Sequence, residues 1–304
     1  MTDVAAPLPL QFGANVDPVA DVAAAVARTQ LAEALGFDLA MLQDHAYNAR
    51  FVDTWTLIAI LAARTERIRL GPNVLTTPLR LPAMIAKAAV TIDRMASGRL
   101  VLGLGAGAFA DGIQGMGGTF PERPGERLQA LRDAITIVLG LLSSDGAPFS
   151  YHGAYYQVED VTLGPGPSSP IPVWTGVVGP RALRLTGELA DGVLVSSSYV
   201  PFDALPEVNA RIDEGARAAG RDPTAVRRAY NVMGRLTLPD DRPMRPRNAG
   251  VLWGDAAYWS ETLAMLATTH RIDTFVFWPA GDRQTEQLRA FATQVIPAVR
   301  AARP

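Results

Sequence analysis

Short apolar runs alternate with longer segments of helical period along almost the whole chain, and this alternation restricts the fold more than any other feature. Eight such pairs can be counted. The apolar runs predict strands at 8–12, 38–42, 68–70, 100–104, 171–174, 192–195, 229–236 and 272–277. The segments between them predict helices at 17–35, 53–64, 82–95, 126–142, 180–189, 205–219, 256–267 and 285–299. Eight βα units predict an α/β fold, namely a single (β/α)8 TIM barrel.

Residues 145–170 interrupt this rhythm with a predicted hairpin at 151–157 and a loop rich in Gly, Pro and Ser. We interpret them as an insertion after the fourth helix. A chain of 304 residues with 48% apolar residues is long enough for one barrel plus such an insertion, so 1–304 is predicted to form one domain. A doubly wound arrangement of two domains is the alternative. The barrel is favoured because it places all the strand ends at one face.

The composition excludes several classes of function. The formal net charge of −2 supplies no basic field for nucleic acid or an anionic membrane surface, so neither partner is expected. The chain has no cysteine and only three histidines, so no metal site is expected, and redox chemistry would need an organic cofactor. No charged segment followed by a long apolar stretch opens the sequence, and no later run is long enough to span a bilayer, which predicts a cytoplasmic protein.

Asp44 and His45 directly follow the second predicted strand, where a barrel places catalytic groups. An imidazole at this position can donate or accept a proton near neutral pH, and the preceding carboxylate is suited to orient it. The alternative is a loop histidine that bonds only the backbone. His152 in the hairpin and His270 at a helix end are interpreted as structural.

The loop after the fifth strand predicts a phosphate site. It contains Gly176, Val177, Val178 and Gly179, and the helix that follows has proline in its first turn. Free backbone N–H groups and the positive end of the helix dipole attract a phosphate there. The hydroxyl of Thr175 is a candidate additional donor. An ordinary glycine-rich loop is the alternative.

The glycines of the segment 103–107 suggest a dinucleotide-binding fingerprint, but the match is weak. The third glycine has the wrong spacing, and the next helix begins many residues later. Gly105, Ala106 and Gly107 are better explained as small residues that let an organic cofactor approach the backbone closely.

Several of these segments together resemble the luciferase-like superfamily. The most diagnostic are the segments 65–71 (TERIRLG) and 93–107 (DRMASGRLVLGLGAG), supported by 44–45 (DH), 171–174 (IPVW), 179–185 (GPRALRL) and 190–192 (ADG). The resemblance covers about residues 12 to 296. It implies a barrel that holds flavin mononucleotide (FMN) or the 5-deazaflavin coenzyme F420 at the carboxyl ends of its strands, and it suggests a homodimer. The F420-dependent branch is preferred.

The resemblance also implies roles for individual residues. It places a non-proline cis peptide between Asn73 and Val74, where the bulge would support the back of the cofactor ring. Sugar-phosphate dehydrogenases of the superfamily carry a glutamate just after the glycine segment, whereas Ala108 and Phe109 stand here. Oxidation of glucose 6-phosphate is therefore disfavoured. Tyr47 and three aromatic residues at other predicted loop ends, Trp253, Phe277 and Trp278, suggest a pocket for a flat or apolar substrate.

Three functions follow from these observations. The preferred one is an F420-dependent oxidoreductase that transfers a hydride between the deazaflavin and a small apolar or aromatic substrate, with His45 handling the proton. The second is an FMN-dependent monooxygenase supplied with electrons by a separate flavin reductase. The third is a barrel that binds an aromatic ligand without turnover.

Overall fold

The computed structural model of the chain describes residues 8–241 and 250–302. Most of the polar, Pro-rich loop expected at 239–248 lies outside these residues. The strands in chain order are β1 (Gln11–Asn15), β2 (Leu39–Leu42), β3 (Arg69–Pro72), β4 (Leu75–Thr76), β5 (Leu102–Gly105), β6 (Phe149–His152), β7 (Gln157–Val161), β8 (Val173–Thr175), β9 (Gly192–Ser196), β10 (Arg227–Leu236), β11 (Leu252–Gly254) and β12 (Thr274–Pro279).

Ten of these strands form one parallel sheet that curves into a barrel. Its order is β3-β2-β1-β12-β10-β9-β8-β5-β4, with β11 added beside β10. A parallel bridge between Leu70 and Leu100 joins the region before β5 to β3 and so brings the two ends of the sheet together. The structure therefore confirms the predicted (β/α)8 architecture.

The third barrel strand is divided into two pieces. Its first piece, β3, pairs with β2, and its second piece, β4, pairs with β5. The peptide bond between Asn73 and Val74, which lies between the two pieces, is cis, as the resemblance implied. This division places the residues after Pro72 at the carboxyl end of the barrel.

The helices are α1 (Val22–Ala34), α2 (Thr54–Ala62), α3 (Pro82–Met95), α4 (Ala110–Gly115), α5 (Pro124–Ser143), α6 (Pro180–Leu189), α7 (Leu205–Ala218), α8 (Ala256–Thr269), α9 (Gln284–Ala290) and α10 (Ile296–Ala302). Short 3₁₀ turns lie at Thr77–Leu79, Phe202–Ala204 and Pro223–Ala225, and a π-helical turn at Phe291–Val295 joins α9 to α10. Asp53 caps α2 as predicted, because its carboxylate accepts the backbone N–H of Thr56 at 2.8 Å.

Several element bounds differ from the prediction, and three of the differences concern short elements or an element end. Strand β1 begins at Gln11 and not at residue 8. Helix α4 was not predicted, because six residues that include Gly112 and Gly115 carry no clear helical period. Strand β11 was also missed. It has only three residues, and it is held by pairing with the end of β10.

The insertion forms a separate two-stranded antiparallel sheet of β6 and β7, which confirms the predicted hairpin with longer arms. Its turn is fastened to α5 by the fully buried carboxylate of Asp133. That carboxylate accepts the backbone N–H of Tyr155 at 2.7 Å and the hydroxyl of Tyr151 at 3.0 Å. The hairpin is therefore held near the β5–α5 side of the barrel. In the part of the chain that the structure describes, no helix is both long and apolar enough to cross a membrane.

Candidate active site

A cleft of about 600 Å³ opens at the carboxyl ends of the barrel strands. Its walls come from seven of the eight barrel strands and the loops that follow them, and from α5 and α6. The residues lining it are Gln43, Asp44, His45, Tyr47, Asn73, Val74, Leu75, Thr76, Gly105, Ala106, Gly107, Ala108, Phe109, Pro124, Arg127, Leu128, Leu131, Gly176, Val177, Val178, Gly179, Ala182, Leu194, Val195, Ser196, Ser198, Tyr199, Asn231, Met233 and Trp278. This is the face where barrel enzymes carry their active sites.

The cleft brings together all but one of the site residues predicted from the sequence. The exception is Thr175, which is buried and does not line the cleft. Its hydroxyl lies 2.6 Å from the hydroxyl of Thr186 in α6. Thr175 therefore fastens α6 to β8, and the donor role expected for it is wrong.

Three glycines near the cleft leave the space that the side chain of Val74 fills. A Cβ atom added at Gly105 would lie 2.6 Å from Cγ2 of Val74, and one added at Gly176 would lie 2.7 Å from the same atom. A Cβ at Gly103 would meet Cγ1 of Val74 at 2.9 Å. Gly105 lines the cleft, so the cofactor contact expected for it stays a prediction, but a side chain added at this position would meet Val74.

The segment between β3 and β4 is also hydrogen-bonded to a strand across the barrel. The side-chain amide of Asn73 donates to the oxygen of Asn231 at 2.7 Å, and the amide of Asn231 donates back at 3.2 Å. Asn231 belongs to β10, on the far side of the cleft from β4. Its role was missed in the sequence, because nothing in a strand interior marks one asparagine as the partner of another.

The imidazole of His45 is paired with Tyr47. Its Nδ1 lies 2.7 Å from the Tyr47 hydroxyl. Burial lowers the pKa of His45 below its usual value of 6.5, and the nearby Asp44 carboxylate opposes this change. Burial also raises the pKa of Tyr47 to about 12, helped by the charges of Asp44 and Tyr199. At neutral pH the pair is therefore a neutral imidazole beside a neutral phenol.

Asp44 does not orient His45 through a hydrogen bond in the described contacts. Its buried carboxylate accepts the backbone N–H of Thr76 at 2.8 Å and both terminal nitrogens of Arg80, at 2.6 and 3.2 Å. Arg80 also bonds Asp53, the cap of α2. Asp44 thus joins the end of β2 to β4 and α2, and it acts on His45 only through its charge.

Aromatic rings surround the His45 side of the cleft. Phe109 stands edge-on to the imidazole with ring centroids 5.5 Å apart, and Phe51 lies at 6.4 Å. Two aromatic residues expected here lie elsewhere. Phe277 is fully buried in the core, stacked on Phe291 at 4.3 Å, and Trp253 does not line the cleft. Tyr199, which nothing in the sequence marks as a site residue, does line it.

Another part of the cleft is formed by the first turn of α6. Gly179 is its N-cap and Pro180 its first residue, and no side chain caps the helix. A Cβ atom built at Gly179 would have no neighbour within 4 Å. Backbone N–H groups therefore face open space at the positive end of a helix, which is a natural seat for a phosphate.

The model of the luciferase-like monooxygenase family matches residues 6–276. The chain belongs to this family. Among relatives in the family, the F420-dependent glucose-6-phosphate dehydrogenase of Microbacterium testaceum is 36% identical over 63% of this chain and 57% of its own length. The 5,10-methylenetetrahydromethanopterin reductase of Archaeoglobus fulgidus is 36% identical over 72% of this chain and 61% of its own. The chain thus spans less than two thirds of either relative.

A third relative is matched over more of its length. The F420-dependent glucose-6-phosphate dehydrogenase of Kineococcus radiotolerans is 33% identical over 77% of this chain and 69% of its own. Among solved structures, an F420-dependent secondary alcohol dehydrogenase superposes with a TM-score of 0.84 at 20% identity, covering 96% of this chain and 99% of that one. The F420-dependent tetrahydromethanopterin reductase of Methanopyrus kandleri gives 0.82 at 22% identity, covering 95% and 99%. These two similarities show the barrel fold of the family.

Proposed function

We propose that this member of the family is an F420-dependent oxidoreductase that transfers a hydride between the deazaflavin and a small apolar or aromatic substrate. The observation that carries the proposal is the cleft itself, which has both an uncapped helix N-terminus and a neutral imidazole beside aromatic rings in its walls. Relatives named for F420 dependence support the choice of cofactor.

The backbone N–H groups and the apolar wall of the cleft fit a cofactor that has a phosphate and a flat ring. The first turn of α6 would hold the phosphate, since its N–H groups are open at Gly179. Val74, clamped by three glycines and adjoining the amide pair of Asn73 and Asn231, would form a rigid support for one face of the ring. When bound, the deazaflavin supplies the hydride chemistry, and the protein supplies position and electrostatics.

His45 is proposed as the group that holds or moves a proton on the substrate. It lines the cleft, it is neutral at neutral pH, and it is partly buried beside the ring of Phe109. The apolar wall near Phe109 favours a substrate without a phosphate group. Ala108 and Phe109 also leave no acidic side chain at the position where the sugar-phosphate dehydrogenases carry glutamate.

A side-by-side titration with F420 and FMN tests the cofactor. The proposal expects tight binding of F420 and an absorbance band near about 420 nm in the loaded protein, whereas bound FMN absorbs near roughly 450 nm. A preference for FMN, with oxygen consumption on adding a flavin reductase, would instead support the monooxygenase alternative. Tight binding without turnover of any ketone, imine or alcohol would support the ligand-binding alternative.

Replacement of His45 tests the proton-handling role. With F420 bound, His45→Ala should lower turnover by about 10²- to 10⁴-fold while F420 affinity changes much less. His45→Gln keeps approximate size and hydrogen bonding but does not titrate in this range. If the Gln variant turned over at a near-normal rate with an unchanged pH–rate profile, His45 would only position the ring or the substrate.

A further inference from the structure

The hydrogen bond between Tyr47 and His45 determines whether the other imidazole nitrogen, Nε2, is a donor or an acceptor toward the cleft. A neutral imidazole has one protonated nitrogen and one acceptor nitrogen, and the partner of Nδ1 decides which is which. Only Nδ1 has a hydrogen-bond partner among residues 8–241 and 250–302, and that partner is the Tyr47 hydroxyl. Nε2 is left for a ligand in the cleft that His45 lines.

The direction of this hydrogen bond follows from the relative basicity of the two atoms. An imidazole nitrogen is a far better proton acceptor than a phenol oxygen, and Tyr47 keeps its proton at neutral pH because its pKa is raised to about 12. The phenol therefore donates and Nδ1 accepts. The single proton of the neutral imidazole then lies on Nε2.

The Tyr47 ring is held in place by packing. A Cβ atom at Gly112 of α4 would lie 2.6 Å from Cγ of Tyr47, so the ring rests directly against the helix backbone. Phe109 lies on another side, with ring centroids 5.8 Å apart. Because these contacts involve the ring and not the hydroxyl, removing only the oxygen should leave the ring in position.

We propose that Tyr47 is a positioning residue that fixes His45 as the Nε2–H tautomer, so that the cleft presents a neutral hydrogen-bond donor to an acceptor atom of the substrate. This inference rests on the proposed function and narrows its substrate class to compounds with a carbonyl oxygen or an imine nitrogen next to the hydride-accepting carbon. A neutral N–H donor stabilises negative charge that develops on such an atom.

Nitrogen NMR of the free protein tests the tautomer without any cofactor. The chain has only three histidines, so ¹⁵N-histidine labelling gives three imidazole spin systems. At pH 7.5, His45 should show a protonated Nε2 and a non-protonated Nδ1. In Tyr47→Phe we expect a mixture of both tautomers, with the signals of His152 and His270 unchanged as a report of intact folding.

The matched control is Tyr199→Phe, which removes a hydroxyl from the same cleft. Tyr199 is largely exposed, and its hydroxyl makes no hydrogen bond to any residue that the structure describes. This variant should leave the His45 tautomer unchanged. Protonated Nδ1 in the wild type, or the same tautomer populations in wild type and Tyr47→Phe, would overturn the proposal.

Two probes of similar shape test the donor role. Cyclohexanone has an acceptor oxygen, whereas methylenecyclohexane does not. Cyclohexanone should shift the Nε2–H resonance of His45, and methylenecyclohexane should shift it much less. No shift with cyclohexanone, or equal shifts with both, would contradict a donor facing the cleft. Because neither experiment uses F420, failure of the cofactor proposal and failure of this one are distinguishable.

In the loaded enzyme the effect of Tyr47 should be smaller than that of His45. Loss of one positioning hydrogen bond should lower the turnover of a ketone or imine substrate by about 3- to 10-fold. F420 affinity should change little, because the ring of residue 47 stays in place and the phosphate seat proposed at the start of α6 is not altered.

Discussion

At the scale of single residues, Val74 and the glycines around it give a prediction about packing. In Gly105→Ala the new methyl group would lie 2.6 Å from Cγ2 of Val74, so the local packing must shift. Overpacking of this kind costs about 1–3 kcal/mol of unfolding free energy. Adding Val74→Ala should restore part of the loss, because the smaller side chain vacates that space.

Urea denaturation of the four members of this double-mutant cycle measures the coupling. Gly115→Ala is the matched control, since a Cβ there would have no neighbour within 4 Å. Additive effects of the two substitutions would show that Gly105 and Val74 do not share the space, and the assignment of the glycines to packing would then be wrong.

The partly buried imidazole of His45 gives a prediction about pH. Its pKa is lowered in the folded protein, so the unfolded chain binds more protons at mildly acidic pH. The contribution of His45 to stability is therefore fully present above about pH 6.5 and is lost as the pH falls through the lower folded-state pKa. In His45→Gln, the unfolding free energy should fall less between pH 7.5 and 5 than in the wild type.

Denaturation at several pH values checks this difference, with His152→Gln as the control. His152 is exposed and bonds only Glu159 across the hairpin, so its replacement should not reproduce the effect. Equal pH dependence in His45→Gln and wild type would show that the imidazole is not desolvated by the fold.

Some site residues could be predicted from the sequence and others could not, because only some are recognisable by residue type and position. His45 was predicted because a histidine after a strand is informative by type and position. Thr175 was predicted to face the cleft, but strand periodicity does not say which hydroxyl meets a helix, and Thr186 takes its bond. Asn231 acts through Asn73, which comes close only in the fold. Tyr47 is two residues from His45, but the sequence does not say that its hydroxyl reaches the imidazole.

At the scale of secondary-structure elements, α6 gives a prediction about the phosphate. Gly179→Leu should place a side chain in front of the free N–H groups, because the space around Gly179 is open and its backbone conformation suits any residue. Loss of charge-assisted hydrogen bonds should weaken F420 binding by about 10- to 100-fold. Gly176 is a poorer test, since a side chain there would first collide with Val74.

The binding assay should include a deazaflavin that keeps the ribityl chain but lacks the phosphate. Its affinity should change little in Gly179→Leu. Gly166→Leu is the matched control, because it too places leucine in open space, but in the loop after the hairpin. If F420 bound as tightly to Gly179→Leu as to the wild type, the phosphate would lie elsewhere in the cleft.

The sequence predicted which helices and strands exist better than where they are interrupted. The seven helices longer than eight residues, and the strands of all eight units, left a clear period in the sequence. The division of the third strand did not. Only 68–70 was predicted as strand, and the two residues of β4 are held by pairing with β5, whereas β3 pairs with β2. Helix α4 is too short for its own sequence to specify it, and it is held by Ile113 in the core and by Tyr47 against Gly112.

At the scale of the whole molecule, the resemblance to the family predicts a homodimer, and the surface near α3 is a candidate interface. Leu81, just before α3, is 67% exposed and Met84 in its first turn is 59% exposed. Large apolar side chains grouped on a surface are typical of sites that another protein covers. Sedimentation equilibrium at micromolar concentration should therefore give the mass of two chains.

Substitution of these two residues tests the interface. The double variant Leu81→Glu, Met84→Glu should sediment as a single chain, because two carboxylates desolvated at an interface cost more than the lost apolar contacts supply. Met265→Glu on α8 is the matched control, since Met265 is also exposed, at 37%, but lies on another helix. It should keep the mass of two chains. If the double variant still formed a dimer, the interface would lie away from α3. If the wild-type protein had the mass of one chain, the dimer prediction would be wrong.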